Sequence, residues 1–179
     1  MSAASAAPDA RRDAAPTWPP RPPLVAILRG LQPERAAEVA AALFEAGFRA
    51  IEVPLNRPGA LQAIAQVVHC APPQSWIGAG TVLQISQLEE VADVGARLIV
   101  SPHFDPALIA RARERGMRIA PGVFTASEAF AAWRCGADAL KFFPAEALTP
   151  AGLQALATVL PAGLPLWPVG GVVPSNMNA

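Results

Sequence analysis

LVAILRGLQPERAAEVAAALFEAGFRAIEV, residues 24–53, is the stretch whose reading decides the fold. It opens on a short apolar run of strand length, LVAILR (24–29). PERAAEVAAALFEAG (33–47) follows, with apolar positions recurring at i, i+3 and i+4, the period of a helix with one buried face. The segment closes on Gly47, and RAIEV (49–53) reads as a second strand. The unit is therefore strand–helix–strand, which implies parallel strands joined by a right-handed crossover.

Outward from this unit the same beat continues. Further strands are predicted at WIGAG (76–80), RLIV (97–100), MRIAP (117–121), ALKFF (139–143) and LPLWPV (164–169). Gly47, Gly95, Gly116 and Gly136 stand where helices should end. Ser86, Asp105 and Thr125 are the expected N-caps or first-turn polar residues, with Glu128 completing a capping box on Thr125. Continuously apolar strands are buried on both faces. That leaves a (β/α)8 barrel or an open doubly wound sheet. No GxGxxG follows the first strand, so the dinucleotide-binding sheet loses its main support and the α/β barrel is favoured. Seven strands are readable where such a barrel has eight. Only GGVVPSNMNA follows Val169, so the expectation is a barrel domain over 24–179 lacking its eighth strand and last helix.

Composition narrows the function. The 179 residues are 53% hydrophobic and 16% charged with no net charge, which argues against a disordered chain and against a nucleic-acid binder. The cluster Arg111, Arg113, Arg115 and Arg118 reads as the solvated face of a helix. Residues 1–23, rich in Ala, Pro and Arg, lack a continuous apolar core and read as a disordered leader, not a targeting signal. No run is long enough to cross a membrane. Cys70 and Cys135 lack the spacing of a metal or redox motif and read as free thiols of a reducing cytosol. His69 and His103 form no ligand pair, so no metal or other cofactor is expected.

In parallel barrels the C-terminal strand ends carry chemistry. Taking only those ends gives Arg29, Glu52, Gly80-Thr81, Ser101-Pro102, Pro121-Gly122, Lys141 and Gly170-Gly171. Cations, a carboxylate, hydroxyls and a glycine pair converge on one rim, the signature of an anion-handling site.

Lys141 is the sharpest feature. Of 14 Lys and Arg residues it alone is a lysine. Alternation along the strand puts Ala139, Lys141 and Phe143 on the barrel side, with Leu140 and Phe142 facing the helices. An amine must be neutral to attack a carbonyl, and apolar burial lowers a lysine pKa from its usual ~10.4. Guanidinium stays protonated and cannot substitute. The structural alternative is a snorkelling or ion-paired lysine. Glu52 faces inward by the same alternation. It is either a general acid/base with a raised pKa or the partner of a salt bridge to Lys141 or Arg29. Gly170-Gly171 lets backbone N–H groups approach an anion, as a phosphate loop does, or simply forms a turn.

AILRG (26–30), IEVPLN (51–56), GAGTV (78–82), the SP of LIVSP (98–102), APG (120–122), LKFFPA (140–145) and VGGV (169–172) resemble, in this order, the 2-keto-3-deoxy-6-phosphogluconate and -phosphogalactonate aldolases. The resemblance covers residues 24–176. It implies a trimeric, cytoplasmic, metal-free (β/α)8 class I aldolase that splits a phosphorylated keto-deoxy sugar acid into pyruvate and glyceraldehyde 3-phosphate. Nucleic acid and membrane have no place in it. By the same resemblance Lys141 is the Schiff-base lysine, and Glu52 moves protons through a water. Arg29 and Thr81 hold the substrate, and Gly171 with Gly170 binds phosphate through the backbone. Arg29, Pro54-Leu55-Asn56 and Val169 look like the galactonate branch, since the gluconate branch tends to place Thr before the glycine pair. The near alternative is a 2-dehydro-3-deoxy-6-phosphogluconate / 4-hydroxy-2-oxoglutarate aldolase. From another class comes a catalytically impaired barrel fragment. A barrel phosphate isomerase is weakened because it gives the sole lysine no role. Family members continue into an eighth strand with a Gly-Ser phosphate contact, so weakened phosphate binding and barrel closure are expected here.

Overall fold

The computed structural model describes residues 18–176. Its elements alternate along the chain: β1 (Ala26–Ile27), α1 (Pro33–Glu45), β2 (Ala50–Pro54), α2 (Ala60–Cys70), β3 (Trp76–Gly80) and α3 (Ile85–Asp93). There follow β4 (Leu98–Val100), α4 (Pro106–Glu114), β5 (Arg118–Ala120), β6 (Gly122–Val123), α5 (Ala126–Arg134), β7 (Leu140–Phe142), a 3-10 turn at Ala145–Ala147, α6 (Pro150–Val159) and β8 (Leu166–Pro168). Every strand pairing is parallel.

β1 to β5 form one sheet in sequential order and β6 to β8 another. The two are one curved wall, because Asp138 N–H donates to Ile119 O (3.0 Å) and Lys141 N–H to Pro121 O (3.0 Å). The strand predicted over 117–121 is thus displaced toward its C-terminal end and divided at Pro121, which has no N–H to give a ladder. Counting β5 and β6 as one, the strands are those read from the sequence: β3 matches, β2 is shifted by one residue, and β1, β4, β7 and β8 are shorter at one or both ends. Among the described residues no ladder joins β1 to β8. A cleft of about 640 Å³ lies there instead, lined by Leu24–Ile27 on one side and Leu166–Val172 on the other.

Alternation partitions the core in two. Ile51, Val53, Ile77, Ala79, Ile99, Ile119, Leu140 and Phe142 pack outward against Ala36, Ala40, Ile64, Val67 and Leu108 of the helices. Ala50, Trp76, Leu98, Val100, Ala120 and Ala139 pack inward as a separate cluster. Phe142 is fully buried on the outer side, which fixes Lys141 on the inner one. Among the described residues no helix is long and apolar enough to cross a membrane.

Local signals mostly act where they were read. Gly47, Gly95, Gly116 and Gly136 all take positive φ beyond helix ends. Asp105 accepts from Ala107 N and Leu108 N, and Thr125 and Glu128 form the capping box. Ser86 takes the first-turn place and not the cap: Gln84 is the N-cap of α3, and Gln87 closes the box by accepting from Gln84 N (3.2 Å). A longer amide reaches the same N–H, so one residue type masked the other.

Two surface expectations change. The arginine cluster is not simply solvated. Arg111 bonds Glu89 and Glu114, and Arg115 bonds Glu89 and Asp93, stitching α4 to α3. Arg118 belongs to β5, pairs with Asp138, and lies 5.6 Å from the Trp18 ring centroid and 5.7 Å from that of Trp76. The leader predicted over 1–23 lies outside the described residues up to position 17. From Trp18 on it is a floor to the barrel. Trp18 meets Trp76 edge-on at 5.4 Å and Trp167 at 5.5 Å, and its Nε1–H donates to Asp138 O at 3.1 Å.

Candidate active site

Glu52 stands in the middle of β2, between Ile27 of β1 and Gly78 of β3 in register. Lys141 stands in the middle of β7, between Gly122 of β6 and Trp167 of β8. Both point into the barrel above the tryptophan floor. Glu52 is 3% exposed and Lys141 7%. Oε2 of Glu52 has no hydrogen-bond partner. Among the described residues, neither side chain closes an ion pair within 4.0 Å. The salt-bridge alternative for Glu52 and Lys141 is therefore not realised.

Burial raises the Glu52 pKa to about 6, against the opposing pull of the Lys141 and Arg29 charges. Burial lowers that of Lys141; the Glu52 charge raises it and the Arg29 charge lowers it further. A carboxyl poised near neutrality and an amine relieved of part of its proton affinity thus stand on the same inner wall, electrostatically coupled, the pairing that acid–base work at a carbonyl requires. Nζ of Lys141 lies 5.0 Å from the Phe143 ring centroid, the aromatic neighbour that alternation placed beside it.

Arg29 follows β1 and is exposed on the rim, yet its charge is felt by both buried groups. Thr81 ends β3 at φ +58°, the one non-glycine residue with positive φ among those described. Such a conformation costs roughly 1–3 kcal/mol and persists where neighbours enforce it. Here Leu55 N–H donates to Gly80 O (2.9 Å) and Val82 N–H to Val100 O (3.2 Å), pinning the chain on both sides.

Arg29, Glu52, Val169, Gly170 and Gly171 line the cleft between β1 and β8. Lys141 and Thr81 are not in its wall. Ser101, also read onto the rim, is 1% exposed and donates to His103 O (2.9 Å), so it holds its own turn. Gly170 and Gly171 bend at φ +106° and +67°. A Cβ on Gly170 would lie 2.1 Å from Oε2 of Glu146, and one on Gly171 2.9 Å from its Cβ. The pair is glycine partly because Glu146 sits on it. That relation was missed, although Glu146 directly follows the LKFFPA motif. Among the described residues no group of three or more His, Cys, Asp or Glu side chains is arranged to hold a metal.

The sequence pattern of KDPG and KHG aldolase matches residues 20–179. The chain belongs to that aldolase family. A relative in Rhizobium meliloti (strain 1021), a probable 2-dehydro-3-deoxy-6-phosphogalactonate aldolase, is 52% identical over 92% of this chain and 77% of its own. A solved native KDPGal structure, 44% identical, superposes with a TM-score of 0.85 over 89% of this chain and 77% of that one. The KDPG aldolase of Legionella pneumophila, solved with pyruvate captured as a covalent carbinolamine, is 31% identical, with a TM-score of 0.77 over 85% of this chain and 73% of that one. The fold is the (β/α)-barrel type of these aldolases. The buried lysine and carboxylate stand on the inner wall of that barrel, in the middle of their strands and not at the strand ends where the sequence reading put them.

Proposed function

We propose that this chain is a class I aldolase that cleaves 2-dehydro-3-deoxy-6-phosphogalactonate to pyruvate and glyceraldehyde 3-phosphate, with Lys141 as nucleophile. One observation carries the reading: the sole lysine of the chain is buried on the inner wall, its pKa lowered, and coupled by charge to a carboxyl held at about 6.

The neutral amine of Lys141 adds to the C2 carbonyl, and the carbonyl oxygen takes up a proton to give a carbinolamine. Protonated Glu52 donates to that hydroxyl through a water, which lets water leave and an iminium form. The iminium then accepts the electron pair of the C3–C4 bond as it breaks. Glu52, now a carboxylate, takes the C4 hydroxyl proton as the aldehyde departs. The enamine left on Lys141 is protonated at C3, and hydrolysis of the imine releases pyruvate and restores the amine. Arg29 and Thr81 hold the carboxylate end of the substrate, and Gly170-Gly171 receive the phosphate. Val169 offers a methyl wall where Thr would offer a hydroxyl to C4. The galactonate epimer is favoured because the Rhizobium meliloti relative bears that name at 52% identity. The unit proposed to act is a barrel domain over 24–179, cytoplasmic, and assembled as a homotrimer when its barrel is complete.

The test is reductive trapping. Pyruvate with borohydride should add one reduced pyruvyl mass to the peptide carrying Lys141, and Lys141→Arg should abolish the adduct. Labelling that persists in Lys141→Arg refutes the assignment.

A further inference from the structure

Three alternate residues of β3 face the barrel interior: Trp76, Gly78 and Gly80. The first fills the floor, and the two glycines leave space for different things. A Cβ on Gly78 would lie 1.7 Å from Leu98 O, so backbone of β4 claims that space. A Cβ on Gly80 would lie 1.4 Å from Oε2, 2.5 Å from Cδ and 2.9 Å from Oε1 of Glu52. All three nearest atoms belong to one carboxyl. Gly80 is absent from the positive-φ glycines, so no turn accounts for it.

We infer that Gly80 is a positioning residue for Glu52, its missing side chain being the seat on which the carboxyl lies against β3. The inference rests on the role proposed for Glu52 only where activity is concerned; the seat itself is geometric. Oε2, which has no protein partner, is the atom nearest to where that Cβ would stand. An added methyl drives the carboxyl off the strand. If it swings into the cleft between β1 and β8, water solvates it. If it swings toward Lys141, the two charges pair. Both movements favour the ionised carboxylate, and neither leaves Glu52 holding a proton near neutrality.

Gly80→Ala in the otherwise unchanged chain should lower Tm, whereas Gly80→Ala added to Glu52→Ala should leave the Tm of Glu52→Ala unchanged. In Gly80→Ala, kcat for aldol cleavage should fall at least tenfold with KM changed less than threefold. The acid limb of its pH profile should also move to lower pH. An equal Tm loss in both backgrounds overturns the inference, because the methyl is then meeting something other than the carboxyl. So does failure of the double variant to fold, or, with Glu52→Gln impaired, a Gly80→Ala enzyme with unaltered kcat and pH profile. If Glu52→Gln proves fully active while the Tm cycle holds, the proton role fails and the seat stands.

Discussion

Replacing Glu52 by Gln tests the buried carboxyl through stability as well as rate. Glu52 titrates at about 6 in the folded chain against an ordinary 4.5. Each unit of pKa difference is worth ~1.4 kcal/mol, so the full effect is about 2 kcal/mol. Its sign follows from proton counting. Below pH 4.5 the group is protonated in both states and costs nothing differential. Between 4.5 and about 6 the folded chain keeps a proton that the unfolded chain has lost, so stability falls with rising pH. Above about 6 the loss is complete. Glutamine cannot titrate. The stability of Glu52→Gln relative to the parent should therefore rise by about 2 kcal/mol from pH 4 to pH 7.5, roughly 4–8 °C in Tm for a domain of this size. Any fixed cost of seating the amide against Gly80 is common to all pH values and drops out of the slope. Paired thermal or denaturant melts across that range are the assay. A difference that stays flat with pH would mean that Glu52 is not held above its ordinary range. In the same variant cleavage should slow by roughly 10²–10⁴-fold, the usual size of a general acid–base contribution.

Three further outcomes are expected. Val169→Thr should shift the ratio of kcat/KM toward the gluconate epimer by roughly 5–150-fold, the worth of one polar contact at 1–3 kcal/mol, without affecting pyruvate trapping; an unchanged ratio removes position 169 from epimer choice. Glu146→Gln should lower KM for the phosphorylated substrate about 2–5-fold, because an exposed carboxylate on the glycine pair opposes a bound phosphate by under ~1 kcal/mol; an unchanged KM places the phosphate elsewhere. Trp18→Ala should cost roughly 2–4 kcal/mol in chemical unfolding while leaving trapping at Lys141 intact, since it removes the ring joining Trp76 and Trp167 at the floor; unaltered stability would make that segment dispensable.

What was legible in the sequence is what one-dimensional rules govern. Period-two alternation put Lys141 and Glu52 inside and Phe142 and Ile51 outside, because the outer face must meet helices and the inner face only other strands. Helix-ending glycines were legible because positive φ is nearly theirs alone. What stayed hidden depends on neighbours distant in the chain. Trp18 sits in a segment whose Pro and Ala content suggests disorder, yet its ring docks on Trp76 and Trp167. The rings are far apart in sequence. Arg118 read as helix surface because charge alone does not say that two indoles and Asp138 wait beside it. Gly170-Gly171 read as a phosphate loop or a simple turn, while the side chain of Glu146, brought back by the turn after β7, is invisible to a local motif. Gly80 read only as a strand end on the rim and as part of GAGTV.

These hidden contacts share one cause. A barrel has little interior, and its inner positions must divide that volume between a floor that holds the strands and a cavity that holds the chemistry. On β3 the division is written in three residues: Trp76 spends the space at the bottom, Gly78 cedes it to the backbone of β4, and Gly80 cedes it to a carboxyl. At β7 the same step runs from Ala139, just before the strand, to Lys141. The apolar wall that desolvates Lys141 and Glu52 is therefore also the inner core, and perturbing either should register in both melting and rate. Burial gives Glu52 a pKa of about 6 only because β3 offers it a place without hydrogen-bond donors. A seat richer in N–H groups would stabilise the ionised form and return the group to the ordinary carboxylate range. On the acid role proposed for Glu52, the glycine is the structural means by which a charged-residue type is kept half in use as an acid.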